Sequence, residues 1–257
     1  MKPLISFLFL LISFHSEACS CFTPPFMVSY QQSDFIAIAK IKKISGDEMK
    51  SPYRYATIEI AELFKGEPAS LIKEVNINTS NCGILTPENT TWLLFATRDS
   101  DGILQISLCS GAQEIKEIAY DNTYPAYKKN REAYLSRTLE LLRYLKKERL
   151  DATNEYHLTP NFTSPCFRSL QGFESSKQVF SVFELTVQKD LTISNIKAVK
   201  EFSSQTLSSQ LFECVKQHTK IANTNLQEVP GITKVLLIFF YHAAEGENKS
   251  FISLQNL

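Results

Sequence analysis

The sequence predicts a mixed fold: a small five-stranded β-barrel or sandwich with a flanking helix, followed by a compact α+β module. Three observations carry this expectation. Five β-rich apolar stretches fall within the 77 residues from 33 to 109, with no helical periodicity between them. A long run of leucines at helical spacing follows. Beyond a polar, Pro-containing stretch, two strand patterns, a helix pattern and a further strand follow in order.

Residues 33–44, SDFIAIAKIKKI, are apolar on both faces at first, as a strand buried on both sides requires. Residues 53–64 form the second strand and end at the Lys65-Gly66 turn; residues 72–79 form the third. Stretches 91–98 and 103–109 flank Asp99-Ser100-Asp101-Gly102, a hairpin turn in which Gly supplies positive φ. Over 125–150, Leu135, Leu139, Leu142 and Leu145 mark one face of an amphipathic helix with a solvated charged face opposite. Residues 151–165 read as a linker that leaves 19–150 and 166–257 as separate folding units. In the second unit, 179–188 and 191–200 make a hairpin about Lys189-Asp190. Residues 203–218 make a helix, and 235–242 a strand. Trp92 reads as core, whereas Asp34, Glu59, His157 and His242 read as strand-end or surface groups.

The first eighteen residues have the layout of a secretory signal peptide. Lys2 precedes an apolar run from Leu4 to Phe14, and Ser16-Glu17-Ala18 places small residues before Cys19. As a helix that run rises only about 17 Å, short of a ~30 Å hydrocarbon core. The expectation is cleavage after Ala18 and export to the periplasm or the extracellular space, with no transmembrane segment left behind. Lipidation of Cys19 is the competing reading, although Ser16 stands where a lipoprotein signal carries Leu.

Composition excludes several functions. Lys plus Arg and Asp plus Glu are each 27, so there is no basic surplus for nucleic acid. Only 8 of 257 residues are Gly, and neither Gly-rich phosphate loop pattern occurs. The four His are scattered, with no H-E-x-x-H. The chain reads as a binding protein with no catalytic constellation, no cofactor and no metal of its own. Six cysteines, Cys19, Cys21, Cys82, Cys109, Cys166 and Cys214, remain after cleavage, an even number that in an exported chain implies disulfides. Spacing alone leaves many connectivities open. Cys19 and Cys21 are too close to bridge each other without strain. The split into two units suggests Cys166 with Cys214.

From 19 to about 115, several features recur in a fixed order. They are CSC at 19–21, a Pro-containing stretch, Ser33-Asp34 leading into an Ile/Ala/Lys strand, Phe64-Lys65-Gly66, Asn81-Cys82-Gly83, and TWLLFATRDSDGILQISLCSG at 91–111. This order resembles the tissue inhibitors of metalloproteinases, within the netrin-like (NTR) family. The resemblance implies an OB-like five-stranded barrel, with Cys19 bonded to Cys82 and Cys21 to Cys109. It also implies a protein partner, a zinc metalloproteinase. The partner's zinc would be met by the free amine and carbonyl of Cys19, with Ser20 in the adjoining pocket and Cys21 and Phe22 completing the wedge. A further cysteine pair of that family is absent; Gln31 lies near the place of one member.

The stretch VFSVFELTVQKDLTISNIKAVKEFSSQTLSSQLFECVKQ at 179–217 resembles the carboxyl-terminal domain of TonB-type energy transducers. That implies a strand–turn–strand–helix core, with Leu191 replacing a turn Gly so that the turn differs. The spacer and anchor of a transducer are not found. The alternative function implied is that of a non-inhibitory envelope interaction or scaffold protein acting through this second module.

Overall fold

The computed structural model describes residues 25–46, 51–115, 125–150 (side chains from 129), 154, 156, 158–162, 165–174, 179–222 and 226–254. The expected signal peptide at 1–18 and the wedge Cys19, Ser20, Cys21 and Phe22 lie outside the described residues, as does His157.

A short helix α1 (Phe26–Gln32) precedes β1 (Phe35–Ser45), β2 (Tyr53–Lys65), β3 (Leu71–Val75), β4 (Thr91–Arg98) and β5 (Leu104–Ile106). These five strands close into a mixed barrel in the order β1-β2-β3-β5-β4, with β1 pairing back onto β4. Every neighbouring pair is antiparallel except β3 with β5, which is parallel. Three register shifts between β1 and β2 supply the bending that closure demands. A two-residue strand β6 (Gln113–Glu114) adds to β4.

The third strand stops at Val75 rather than running to residue 79. Asn76 ends it. Its buried side chain accepts from the Asn78 N–H at 3.0 Å and donates to the Ser51 carbonyl at 2.8 Å, which turns the chain.

Helix α2 (Pro125–Lys147) starts on proline, whose missing N–H costs nothing at a first helical position. It ends where Arg149 adopts φ +50° and the Leu150 N–H reaches the Leu145 carbonyl at 3.0 Å. Of its predicted apolar face, Leu142 and Leu145 are buried together with Leu141, while Leu135 and Leu139 are partly so.

The second half contains β7 (Thr159–Phe162), β8 (Phe180–Val187), β9 (Ile193–Lys200), α3 (Gln205–His218), β10 (Thr219–Ala222), β11 (Thr233–His242) and β12 (Phe251–Ser253). One sheet runs β12-β11-β8-β9, and β7 pairs with β10 in a second, two-stranded sheet. The Ser204 hydroxyl caps α3 by accepting from the Leu207 N–H at 3.4 Å. Leu191 takes φ +65° in the β8–β9 turn, so leucine occupies the left-handed region that ordinarily favours glycine. Cys166 and Cys214 form a disulfide, as expected.

Two further expectations are revised. The stretch read as a linker is partly built into the fold: Thr159–Phe162 is strand β7, and Asn154 and Leu158 are buried. The Asn154 amide donates to the Leu158 carbonyl at 2.6 Å and to the Gln31 side chain of α1 at 3.0 Å, tying the crossing to the first half. His242 is buried rather than exposed; its ring stacks on Phe251 at 4.5 Å and its Nε2 lies 3.1 Å from the Ser253 hydroxyl.

The two halves share a core. On β1 and β4, Phe35, Ala37, Ala39, Trp92, Leu94 and Ala96 point into the barrel. The intervening Ile36, Leu93 and Phe95 point outward and meet Phe180, Val182, Leu236, Ile238 and Phe240 of the second sheet, together with α1 and α2. The opposite faces of β8 and β11 pack Phe183, Leu185, Val235, Leu237 and Phe239 against α3. Among the described residues no helix is long and apolar enough to cross a membrane.

Two outcomes follow. Phe240→Ala should cost about 3–5 kcal/mol, and the wild-type chain should melt in one transition by calorimetry, because that ring joins both halves. Removing the Cys166–Cys214 bond with paired serines should cost about 4 kcal/mol on the chain-entropy account, read from the shift in a guanidinium denaturation midpoint.

Candidate functional site

The rim of the barrel at the ends of β3 and β5 carries Cys82 and Cys109, both disulfide-bonded. Their expected partners, Cys19 and Cys21, fall outside the described residues. The two rim loops are held together by a backbone bond, the Leu108 N–H donating to the Cys82 carbonyl at 2.9 Å. Each loop has its own internal reason for being rigid. Gly83 folds so tightly against Ile77 that a Cβ there would lie 2.2 Å from the Ile77 Cα, so only glycine fits. Gly111, at φ +83°, closes the 3₁₀ turn Leu108–Ser110. A Cβ on Gly111 would approach the Ser29 hydroxyl to 3.3 Å, which places α1 beside this rim. Helix α1 therefore lies next to the loop that bears Cys109.

Beneath the rim lies a buried polar network. Glu74 is fully buried and accepts from Arg54 Nη2 at 2.6 Å and from the Thr86 hydroxyl. Burial pushes its carboxyl above the ordinary carboxylate range, and the hydrogen bonds from Thr86 and Arg54 pull the other way. Lys73 pairs with Asp99 and lies 4.4 Å from the centre of the Tyr53 ring. Thr86 and Asn76 stand on either side of Cys82 in sequence, so this network and the Asn76 turn clamp both ends of the loop.

Against these loops a groove of about 890 Å³ opens between the rim and α2. Ile77, Leu85 and Leu108 line it and are exposed to 51 %, 50 % and 56 %. Most large apolar side chains of the described residues are covered, so three such residues on one groove form a patch suited to protein contact. Arg131 closes one end by donating to the Glu114 carbonyl at 2.9 Å. Tyr134 forms hydrogen bonds with Gln113 and Thr138, and burial holds its phenol above the usual range. Trp92 backs the groove from the barrel core and donates to the Thr90 hydroxyl at 2.8 Å.

The other singled-out residues take ordinary places. The Asp34 carboxylate accepts from the Arg98 N–H at 2.7 Å at a strand end. Glu59 pairs with Lys42 at 2.8 Å on the surface, and that bond lowers its pKa. Among the described residues no group of three or more His, Cys, Asp or Glu is placed to hold a metal ion. The rim patch itself was not found from the sequence. Ile77, Leu85 and Leu108 are isolated apolar residues there, and only the fold assembles them; the flanking cysteines were the one available signal.

No protein-family model matches the chain, and no curated protein sequence matches it.

Replacing Glu74 with leucine strips a buried guanidinium of its partner and should cost about 3–5 kcal/mol. Glu74→Gln keeps an acceptor and should cost clearly less. Because the folded state holds the Glu74 proton more tightly than the unfolded one, its contribution to stability is present below the ordinary carboxylate range and is lost as pH rises through its folded value. Denaturant titrations of wild type and Glu74→Gln between acid and neutral pH should show that difference.

Proposed function

We propose that this chain is an exported, disulfide-stapled protein-binding protein, most concretely an inhibitor of a zinc metalloproteinase acting through a free amino terminus at Cys19. The observation that carries the reading is the rim. Two bonded cysteines stand on adjacent, internally clamped loops joined by a backbone hydrogen bond, beside three exposed apolar side chains. The closed five-stranded barrel is in keeping with the OB-like NTR fold that the sequence resembles.

The chemistry is specific. With Cys19 and Cys21 bonded to Cys82 and Cys109, a segment of three residues is held at both ends and loses little freedom on binding. A catalytic zinc keeps one position open for water or substrate. The α-amino group of Cys19, with an ordinary pKa near 7.7–8.0, gives up its proton at small cost and takes that position together with the Cys19 carbonyl oxygen. Ser20 then points into the specificity pocket beside the zinc. Phe22 and the Ile77–Leu85–Leu108 patch extend the contact over the partner's rim.

The test is a pair of proteins, one beginning at Cys19 and one with a single Ala ahead of it, assayed against a panel of zinc endopeptidases with a fluorogenic peptide. The first should inhibit at least one protease. The extended form should lose about 100-fold or more, since an amide nitrogen is a poor metal ligand. Leu108→Asp should weaken inhibition by about 5–30-fold while leaving the melting temperature unchanged. Full inhibition by the extended form would refute chelation by the amine.

A further inference from the structure

A second groove lies on the other half of the molecule, about 730 Å³ in volume, between the β8–β9 turn, strand β9, helix α3 and strand β10. Its wall is apolar. Ile193 and Ile196 stand on the face of β9 turned toward α3, opposite Val187 and Leu185, and Phe212 of α3 and Ile221 of β10 complete the row. All four are only partly buried, at the margin of the core that α3 forms with the sheet. One end of the groove is polar. Lys216 follows Phe212 by one helical turn on the same side of α3 and is exposed. Thr219 caps the helix three residues later, its N–H donating to the Val215 carbonyl. It lines the groove and is exposed to only 9 %, yet its hydroxyl has no hydrogen-bond partner. A buried hydroxyl left without a partner is costly, and a ligand atom that accepts from it recovers that cost. Lys216 and Lys220 both line the groove, and neither is in an ion pair among the described residues. The one carboxylate in the lining, Asp190, accepts from the Thr192 hydroxyl at 2.6 Å and from the Thr192 N–H at 3.1 Å.

We propose that this groove binds a single-chain amphiphile with a carboxylate head, a fatty acid of medium length. The tail lies along Ile193, Ile196, Phe212 and Ile221, and the carboxylate accepts from Lys216 and from the Thr219 hydroxyl, with Lys220 adding positive charge at the mouth. A row of half-covered apolar side chains that ends at a lysine and an unsatisfied hydroxyl is complementary to one apolar tail and one anionic head. The strand rises at most about 10 Å from Ile193 to Ile196, so the wall covers a medium chain and would leave the end of a long one in water. The hydroxyl and methyl of Thr219 exchange places by one χ1 rotation, which turns the hydroxyl to the head group. The carbonyl end of α3 disfavours an anion, but that effect is confined to the last turn and is weaker than a charge-assisted hydrogen bond from Lys216. The occupant lies across side chains between sheet and helix and forms no ladder with the edge of β9. The proposal is independent of inhibition at the barrel rim.

The probe is decanoate, carbon-13 labelled at the carboxyl, titrated with the whole chain at neutral pH below its micelle concentration and read by carbon-13 shift and by calorimetry. Decanoate should saturate a single site with a Kd below about 1 mM. Butyrate has the head with little tail, and decyltrimethylammonium has the tail with the opposite charge; each should bind at least about tenfold more weakly. Lys216→Glu should weaken decanoate by about tenfold or more and strengthen decyltrimethylammonium, with an unchanged melting temperature because the side chain is exposed. Thr219→Val should weaken decanoate several-fold with an unchanged or raised melting temperature, a combination that a purely structural hydroxyl would not give. A decanoate carrying a nitroxide at the chain end should broaden the NMR signals of Ile196 and Phe212. No saturable binding of decanoate up to about 1 mM, equal binding by Lys216→Glu, tighter binding of the cationic amphiphile by the wild type, or broadening confined to the rim around Leu108 would each overturn the proposal.

Discussion

Four strands apolar on both faces hold this molecule together. β1 and β4 cannot bury both of their faces inside a barrel, because only alternate residues point inward. Ile36, Leu93 and Phe95 are left on the outer wall. β8 and β11 have the complementary problem, with one face satisfied by α3 and the other, Phe180, Val182, Leu236, Ile238 and Phe240, left uncovered. Each wall is the solution to the other's exposure. Burying a large apolar side chain stabilises by about 1.5–3 kcal/mol, so a seam of this many residues outweighs the freedom of two independent halves. Helices α1 and α2 fill the sides of the seam. Asn154, bridging Leu158 and Gln31, fixes how the chain crosses it.

That seam explains how much of the structure was legible in the sequence. The doubly apolar character of 33–44 and 235–242 is plain in the residues, and so were the strands they form. What alternation could not say was which core each face would enter, so the polar crossing at 151–165 read as a boundary when it is partly a strand. The short elements were illegible for a related reason. β7, β10 and β12 are three or four residues long, and α1 is seven. No periodicity accumulates over such lengths, and their pairing partners lie far away in sequence, as Thr219 opposite Phe162 illustrates. His242 was misplaced similarly: a strand-end histidine looks exposed until Phe251 comes back to stack on it.

The surfaces divide along the same lines. Cysteines advertised the rim, since Cys82 and Cys109 are chemically conspicuous wherever they fall. The apolar patch beside them, and the groove between β9 and β10, are built from single residues of separate stretches. Thr219 is unremarkable as a letter. Only burial without a hydrogen-bond partner makes it notable. The two surfaces differ in physical character as well. The rim offers rigid loops and apolar area, whereas the groove brings lysines and a buried hydroxyl together.

The barrel's pairing scheme also has a kinetic side. β1 must find β4, with Phe35 opposite Ala96, and the parallel β3–β5 pair must form across the intervening chain. β8 meets β11 only after β9, α3 and β10 have been accommodated between them. Chains dominated by such distant pairings fold in milliseconds to seconds, not microseconds. Cys214 ends this process only 4 % exposed, on the inward side of α3. An oxidant that arrives after the core has closed finds that thiol shielded. Cys166 stays half-buried at the surface and is the sulfur such an oxidant can still reach, so the shielded Cys214 closes the bond by attacking it from inside the finished core.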